Sequence, residues 1–195
     1  MAALSDSAIW RPFLILAAVA VLIFAKFRGR ACILTMAILL LIGELFTNSL
    51  KSAFDRGRPK QVTRVRMVEL AKVRPAVLKL FHPVAIRYSD ATDQKRSGPS
   101  FPSGHTMNNT IIAMCLSIFY PRRGWLYWLV AMAIGYSRIY LGAHWPSDVA
   151  ATVFLAVGIT LVFLGLFELL WRNLVPKWWP DFYQRHPRLL PHSPL

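Results

Sequence analysis

Residues with chemical potential gather at three places in this chain. Lys51 is followed, after six residues, by Arg58 and Pro59. Pro102-Ser103-Gly104-His105 forms the second group. Ser137-Arg138 leads to His144 and Asp148 in the third. Together they supply two histidines, three strong cations and one carboxylate. Lys51, Arg58 and Arg138 suit a phosphate dianion, because arginine offers a planar fork of donors and lysine a point charge. Ser103 and Gly104 precede an apolar run. At a helix start their free backbone N–H groups would favour an anion, and the glycine permits close backbone approach. His144 and Asp148 are four apart and share a face of any helical turn. The carboxylate can accept from one ring nitrogen and fix the tautomer, which aims the other nitrogen as nucleophile or base. His105 is then left to act as a general acid.

Each feature also has a plainer reading. Arg138, near the end of an apolar stretch, could snorkel to the interface. A Ser-Gly pair at a helix start is often only a cap. His144 and Asp148 could be a structural pair or two metal ligands, although the surrounding cations and the lack of further acids or cysteines weaken a metal. Order and spacing together carry more weight than any one feature.

The composition indicates what must position these groups. The 195 residues are 55% hydrophobic and 16% charged, with 23 Lys and Arg against 9 Asp and Glu and a formal net charge of +14. The mean hydropathy is +0.42. An ordinary soluble or disordered chain does not look like this. A greasy, basic chain points to a membrane protein with basic flanks rather than a nucleic-acid binder. Cys32 and Cys115 both sit in apolar runs and read as packing residues.

A membrane-spanning helix needs about 20 apolar residues. Five stretches meet or approach that length: about Pro12–Phe27, Ala31–Leu50, Thr106–Tyr120, Trp125–Leu141 and Val149–Trp171. The first and third are short. A cleaved leader fails for the first, because Lys26, Arg28 and Arg30 follow where small residues should stand. The expected fold is therefore an all-α integral membrane bundle of about five transmembrane helices, forming one domain over 1–195. The Lys/Arg balance of the short loops puts the C-terminal tail in the cytoplasm and all three clusters on the outer face.

Between the second and third spans, residues 51–98 hold 12 Lys or Arg and four acids. Val62, Val65, Val68, Leu70, Val73 and Val77 fall near one helical face, with Arg64, Arg66, Lys72 and Arg74 largely elsewhere. This predicts an interfacial amphipathic helix in a basic outer loop, 60–98. Pro75 interrupts it. With Lys79, these basic residues would meet anionic headgroups and favour a multiply anionic lipid.

The three groups together resemble the signature of the type 2 phosphatidic acid phosphatase superfamily. That signature is Lys, six residues, Arg-Pro; then Pro-Ser-Gly-His; then Ser-Arg, five residues, His, three residues, Asp. The resemblance covers about half the chain, and all three parts match in full and in order. It implies that His144 attacks phosphorus to form a phosphohistidine, that Asp148 orients His144, and that His105 protonates the leaving oxygen. Lys51, Arg58, Ser103, Gly104 and Arg138 would hold the phosphate oxygens. No metal or other cofactor is implied. One departure stands out: the family usually has two spans before the helix that ends in the first motif, and here there is one.

These expectations describe a phosphatase acting on a membrane lipid in the bilayer, with the site at the interface where a headgroup can enter. A bacterial inner-membrane enzyme with a periplasmic site fits the short chain. Candidate substrates are undecaprenyl pyrophosphate, phosphatidylglycerophosphate, phosphatidate and lipid A. Two alternatives stand beside it: a phosphotransferase with a lipid acceptor and the same site, and a non-enzymatic lipid-binding or transport protein. The complete set of His105, His144 and Asp148 argues against the latter, since anion binding alone needs no nucleophile.

Overall fold

The computed structural model describes residues 2–90, 92–93 and 98–191. Residues 94–97 of the basic loop lie outside the described set. Helices dominate: α1 (Ser7–Phe24), α2 (Phe27–Phe54), the short α3 (Pro59–Val62), α4 (Gly104–Phe119), α5 (Tyr127–Tyr140), α6 (Pro146–Trp178) and α7 (Pro180–Arg185).

Among the described residues, three segments are long and apolar enough to cross a membrane: Ser7–Phe24, Phe27–Val62 and Pro146–Trp178. The protein is an integral membrane protein. The count of five is not met at this standard. α4 has 16 residues and α5 has 14. At about 1.5 Å per residue, both fall short of a hydrocarbon core of about 30 Å.

α4 runs through the middle and packs on α2, α5 and α6. Its sequence explains why: Met107, Ile111, Cys115 and Phe119 recur every four residues and are all fully buried. They meet Cys32 and Leu39 of α2 and Ala156, Ile159 and Leu164 of α6 in one core. Gly43 lets α2 approach closely, because a Cβ there would come within 2.6 Å of Ile111. α1, by contrast, leaves most of its apolar surface exposed, as expected of a helix facing lipid. Beyond α6 the tail folds back. Glu168 accepts from the backbone N–H groups of Leu189 (2.9 Å) and Leu190 (3.0 Å), and His186 stacks on Phe27.

The loop between α3 and α4 corrects a second expectation. In place of an amphipathic helix it holds an antiparallel hairpin, β1 (Arg66–Glu69) with β2 (Ala85–Tyr88), pairing Arg66 with Tyr88 and Glu69 with Ala85. A 3-10 turn, Ala76–Phe81, follows Pro75 and joins the strands. The valine spacing mimicked a helix face, but β-branched residues favour extended chain, and the partner strand lies too far along the chain for local periodicity to reveal. Arg87 locks the hairpin: it donates to Glu69 (2.8 Å) across the strands and to Asp93 (2.6 and 3.0 Å). Asp93 falls to about 2, held there by its hydrogen bonds from Arg87.

Gly142 seats the hairpin on the bundle. Its φ is +62°, a region that favours glycine, and a Cβ there would lie 2.7 Å from Val65. Its carbonyl accepts from the Lys60 N–H at 3.2 Å.

Candidate active site

The three sequence clusters meet at one end of the bundle because each lies at a helix terminus. Lys51 is in the last turn of α2 and Arg58 just before α3. Ser103, Gly104 and His105 open α4, Arg138 is in the last turn of α5, and His144 and Asp148 flank the start of α6. Arg58 is the hub. Lys51, His105, Arg138, His144 and Asp148 all lie within its electrostatic reach.

Lys51, Arg58 and Arg138 are each half-buried. None forms an ion pair with a carboxylate among the described residues. Arg58 spends its donors on backbone carbonyls, Gly98 at 2.7 Å and Pro99 at 3.4 Å. Arg138 makes a 3.4 Å bond to Ser5 Oγ, and its Nε is buried without a hydrogen-bond partner among the described residues. Arg58 repels both Lys51 and Arg138, and all three have lost part of their hydration. An anion among them would relieve both costs.

His144 is 3% exposed. Its Nδ1 lies 2.5 Å from the carbonyl oxygen of Ser100. Burial, then the positive charges of Arg58 and Arg138, push it down to about 3. The ring is therefore neutral near pH 7, and the carbonyl acceptor assigns the proton to Nδ1. Nε2 carries the free lone pair.

Asp148 is fully buried, yet it makes no hydrogen bond to His144. As the third residue of α6 it reaches back to the Trp145 N–H at 3.0 Å, half of a capping box, with Pro146 in the first helical position. The same oxygen, Oδ2, accepts from Ser100 Oγ at 2.5 Å. Oδ1 accepts from Arg56 at 2.6 Å. The expected direct contact with the histidine is thus replaced by a path through Ser100.

Ser103 is fully buried as the cap of α4. Its Oγ accepts from the Thr106 N–H (3.4 Å) and Thr106 Oγ1 (2.9 Å). Its own N–H donates to Thr152 Oγ1, which in turn donates to the Asp148 carbonyl. The turn before α4 is thereby tied to the start of α6. Among the described residues a Cβ at Gly104 would meet only Thr47, at 3.7 Å, so none of them demands a glycine there. His105 lies against the Ser5 backbone. It also borders a cavity of about 350 Å³ with apolar walls, including Trp10, Leu14, Val130 and Ile134.

Sequence reasoning missed Ser100 and Arg56. Arg56 also stacks over Trp145, 5.8 Å from the ring centre, and Ser100 N–H donates to the Arg56 carbonyl. Arg56 lies within the spacer of the first motif and Ser100 just before the second, but their partners come from α6, and no local spacing marks them.

A buried neutral imidazole thus lies amid cations that have no carboxylate partner among the described residues, at one end of a membrane helix bundle. The chain belongs to the PAP2 superfamily, whose family model matches residues 30–172. Over 58 residues it is 45% identical to a bacitracin transport permease protein of Bacillus licheniformis, covering 30% of this chain and 29% of that one. Over 91 residues it is 33% identical to an undecaprenyl-diphosphatase of Sulfolobus acidocaldarius, covering 46% and 43%. The chain thus spans less than half the length of these relatives. A transmembrane PAP2-type phosphatidylglycerolphosphate phosphatase of Bacillus subtilis shares its fold, with a TM-score of 0.54 and 22% identity over 87% of this chain and 74% of that one.

Proposed function

We propose that this protein is a membrane lipid phosphatase that cleaves a phosphomonoester or diphosphate through a phosphohistidine on His144. One observation carries the reading: Arg58 and Arg138 flank a buried, neutral His144, Lys51 lies within reach of Arg58, and none of the three cations pairs with a carboxylate among the described residues. Pure anion binding would not need the oriented imidazole.

The chemistry follows from the arrangement. Lys51, Arg58 and Arg138 hold the phosphate oxygens, joined by the free N–H groups that open α4. A phosphate oxygen approaching Gly104 closely would account for the missing side chain there. Nε2 of His144 forms a bond to phosphorus as the bond to the leaving oxygen breaks, and His105 gives that oxygen a proton. Water then attacks the phosphohistidine, releasing inorganic phosphate and restoring the imidazole. Asp148 orients His144 by holding Ser100, whose carbonyl fixes the Nδ1 proton. Fixed cations supply most of the stabilisation of the transferring group.

Membrane placement supports a lipid substrate. α1, α2, α4, α5 and α6 act together as a five-helix membrane-embedded unit, with the site where a headgroup can enter while its chains stay in hydrocarbon. The short basic segments lie at the other end of the bundle: Lys26, Arg28 and Arg30; Arg122 and Arg123; Arg172 and Lys177. The Lys/Arg rule makes that end cytoplasmic and the site periplasmic or external. The named activity of the archaeal relative is consistent with a polyprenyl diphosphate among the candidates. The deciding experiment is phosphate release by purified protein in detergent, with no added acceptor, across undecaprenyl diphosphate, phosphatidylglycerophosphate, phosphatidate and lipid A. No release from any of them would overturn the reading.

A further inference from the structure

The N-terminal 3-10 turn, Ala3–Ser5, touches two site residues from a part of the chain that carries no motif. Ser5 is buried. Its Oγ donates to the Ala2 carbonyl at 3.3 Å and accepts from Arg138 at 3.4 Å, one bond in each direction that a hydroxyl offers. Its backbone meets His105 in a hydrogen bond. The cavities repeat this arrangement. Ser5 and His105 both line the apolar cavity of about 350 Å³, and Ser5 and Arg138 both line another of about 340 Å³. Ser5 therefore stands between the acid and a phosphate-holding cation. Three bonds hold the turn itself. Trp10 Nε1 donates to the Ala3 carbonyl at 2.9 Å. Asp6, the cap of α1, accepts from the Ala8 N–H at 3.0 Å. Its other carboxylate oxygen pairs with Lys79 Nζ at 2.7 Å, and Lys79 belongs to the turn that joins the hairpin strands. Both side chains of that pair are half-buried, so water screens it less than it screens a surface pair.

We propose that Ser5 is a positioning residue for both His105 and Arg138, and that the Asp6–Lys79 pair latches its turn in place. This rests on the phosphatase reading above. His105 begins as the imidazolium, with two N–H groups. The Ser5 carbonyl takes one. The proton of the other passes to the leaving oxygen as that oxygen's bond to phosphorus breaks, and the ring is left neutral with its remaining proton on the Ser5 side. The lost proton returns when water attacks the phosphohistidine and His105 acts as the base. Ser100 holds His144 in the same way, so each histidine faces the backbone carbonyl of a serine. A backbone hold is only as firm as the segment that carries it. The latch, rather than the Ser5 side chain, therefore sets how well His105 is aimed.

The test uses the full chain in neutral detergent with octyl phosphate and nitrophenyl phosphate, two monophosphates whose leaving groups differ in their need for a proton. Lys79→Gln releases the turn without touching any motif. It should lower kcat for octyl phosphate about tenfold and for nitrophenyl phosphate by less than about twofold, and Lys79→Arg should restore the octyl rate. Ser5→Ala keeps the carbonyl and loses only the hydroxyl on Arg138. It should raise KM about threefold for both substrates and leave kcat within about twofold. Equal losses of kcat on both substrates in Lys79→Gln, or no loss on either, would overturn the latch. An unchanged KM in Ser5→Ala would overturn the hold on Arg138. Ring ¹⁵N shifts of His105 read the same hold without turnover. At pH 8 the wild type should show one tautomer and Lys79→Gln a mixture, and identical spectra would overturn the proposal whatever the rates. A wild type that releases no phosphate from any lipid, with the tautomer change intact, would sink the phosphatase reading and keep Ser5 as the partner that fixes His105.

Discussion

Asp148 reaches Ser100 rather than His144. Its Oδ2 accepts a hydrogen bond from the Ser100 hydroxyl at 2.5 Å, while the Ser100 carbonyl faces His144 Nδ1. One residue therefore passes the carboxylate's hold to the imidazole through its own backbone, and Arg56 pins the other carboxylate oxygen. Ser100→Ala should cut kcat about ten- to a hundredfold, the usual cost of losing such a support, with little change in KM for a small soluble phosphate. Ser100→Thr keeps the hydroxyl and should recover most of the rate. Ring ¹⁵N shifts of His144 provide a second readout, since the alanine variant should show mixed tautomers. A single Nδ1–H tautomer and full activity in Ser100→Ala would mean that the serine does not position the ring.

His144→Ala should abolish turnover while the protein stays folded in the membrane, because no neighbouring side chain can replace a placed nucleophile. His105→Ala should depend on the leaving group. An alcohol leaving group needs its proton, so loss of about 10² or more is expected with a lipid monoester. A nitrophenol leaving group needs no proton, and there the loss should be small. Equal losses on the two substrates would remove His105 from the acid role.

The sequence made the site far more legible than the fold around it. Lys51, Arg58, His105, Arg138, His144 and Asp148 each stand at or beside a helix terminus, so fixed spacing along the chain translated into shared position in space. Ser100 was invisible because its meaning depends on Asp148, 48 residues away. The hairpin was hidden for a related reason: the spacing of Val62, Val65 and Val68 looks helical throughout, and only Ala85–Tyr88, far along the chain, pairs Arg66–Glu69 as a strand. Helix count was ambiguous because both helices are short for different reasons: α4 is buried among other helices, while α5 leaves Leu129, Met132 and Tyr136 exposed over only 14 residues.

The acid response should reflect the low value of His144. Burial, with Arg58 and Arg138 nearby, takes it from 6.5 to about 3. The folded value lies below the unfolded one, so folding favours the neutral ring. That contribution to stability is complete above about pH 6.5 and is lost as pH falls from there toward 3. In the free enzyme the nucleophile also stays unprotonated at pH 5. Imidazole ¹⁵N shifts measured between pH 8 and pH 5 should therefore show a neutral His144 throughout. A midpoint near 6.5 would contradict the buried, cation-flanked environment.

In the proposed mechanism, cationic side chains do what a metal does in other phosphatases. Activity should therefore be unchanged in EDTA, and vanadate should inhibit as a five-coordinate mimic of the transferring group attached to His144. A loss in EDTA that a divalent ion restores would overturn the mechanism.

Topology offers a prediction independent of any substrate. Lys26, Arg28, Arg30, Arg122, Arg123, Arg172 and Lys177 all belong to short segments at the end of the bundle away from His144, where Lys/Arg bias sets orientation. A reporter fused after Leu195 should thus read as cytoplasmic. A cysteine label placed in the hairpin turn, at Lys79's neighbour Leu80, should react with an impermeant reagent from outside. Leu80 is exposed, so a lack of reaction there would reflect orientation rather than burial. The two results are linked through helix number. With α1, α2, α4, α5 and α6 all crossing, the termini lie on opposite sides. If α4 and α5 instead enter and leave by the same face as one re-entrant pair, three crossings remain and the termini still lie on opposite sides. The segment around Arg122 and Arg123 distinguishes these cases. A label at Arg123 should be protected from the external reagent if α4 and α5 cross, because that turn then faces the cytoplasm. External labelling at Arg123 together with external labelling at Leu80 would reduce the protein to the three spans that meet the length criterion on their own.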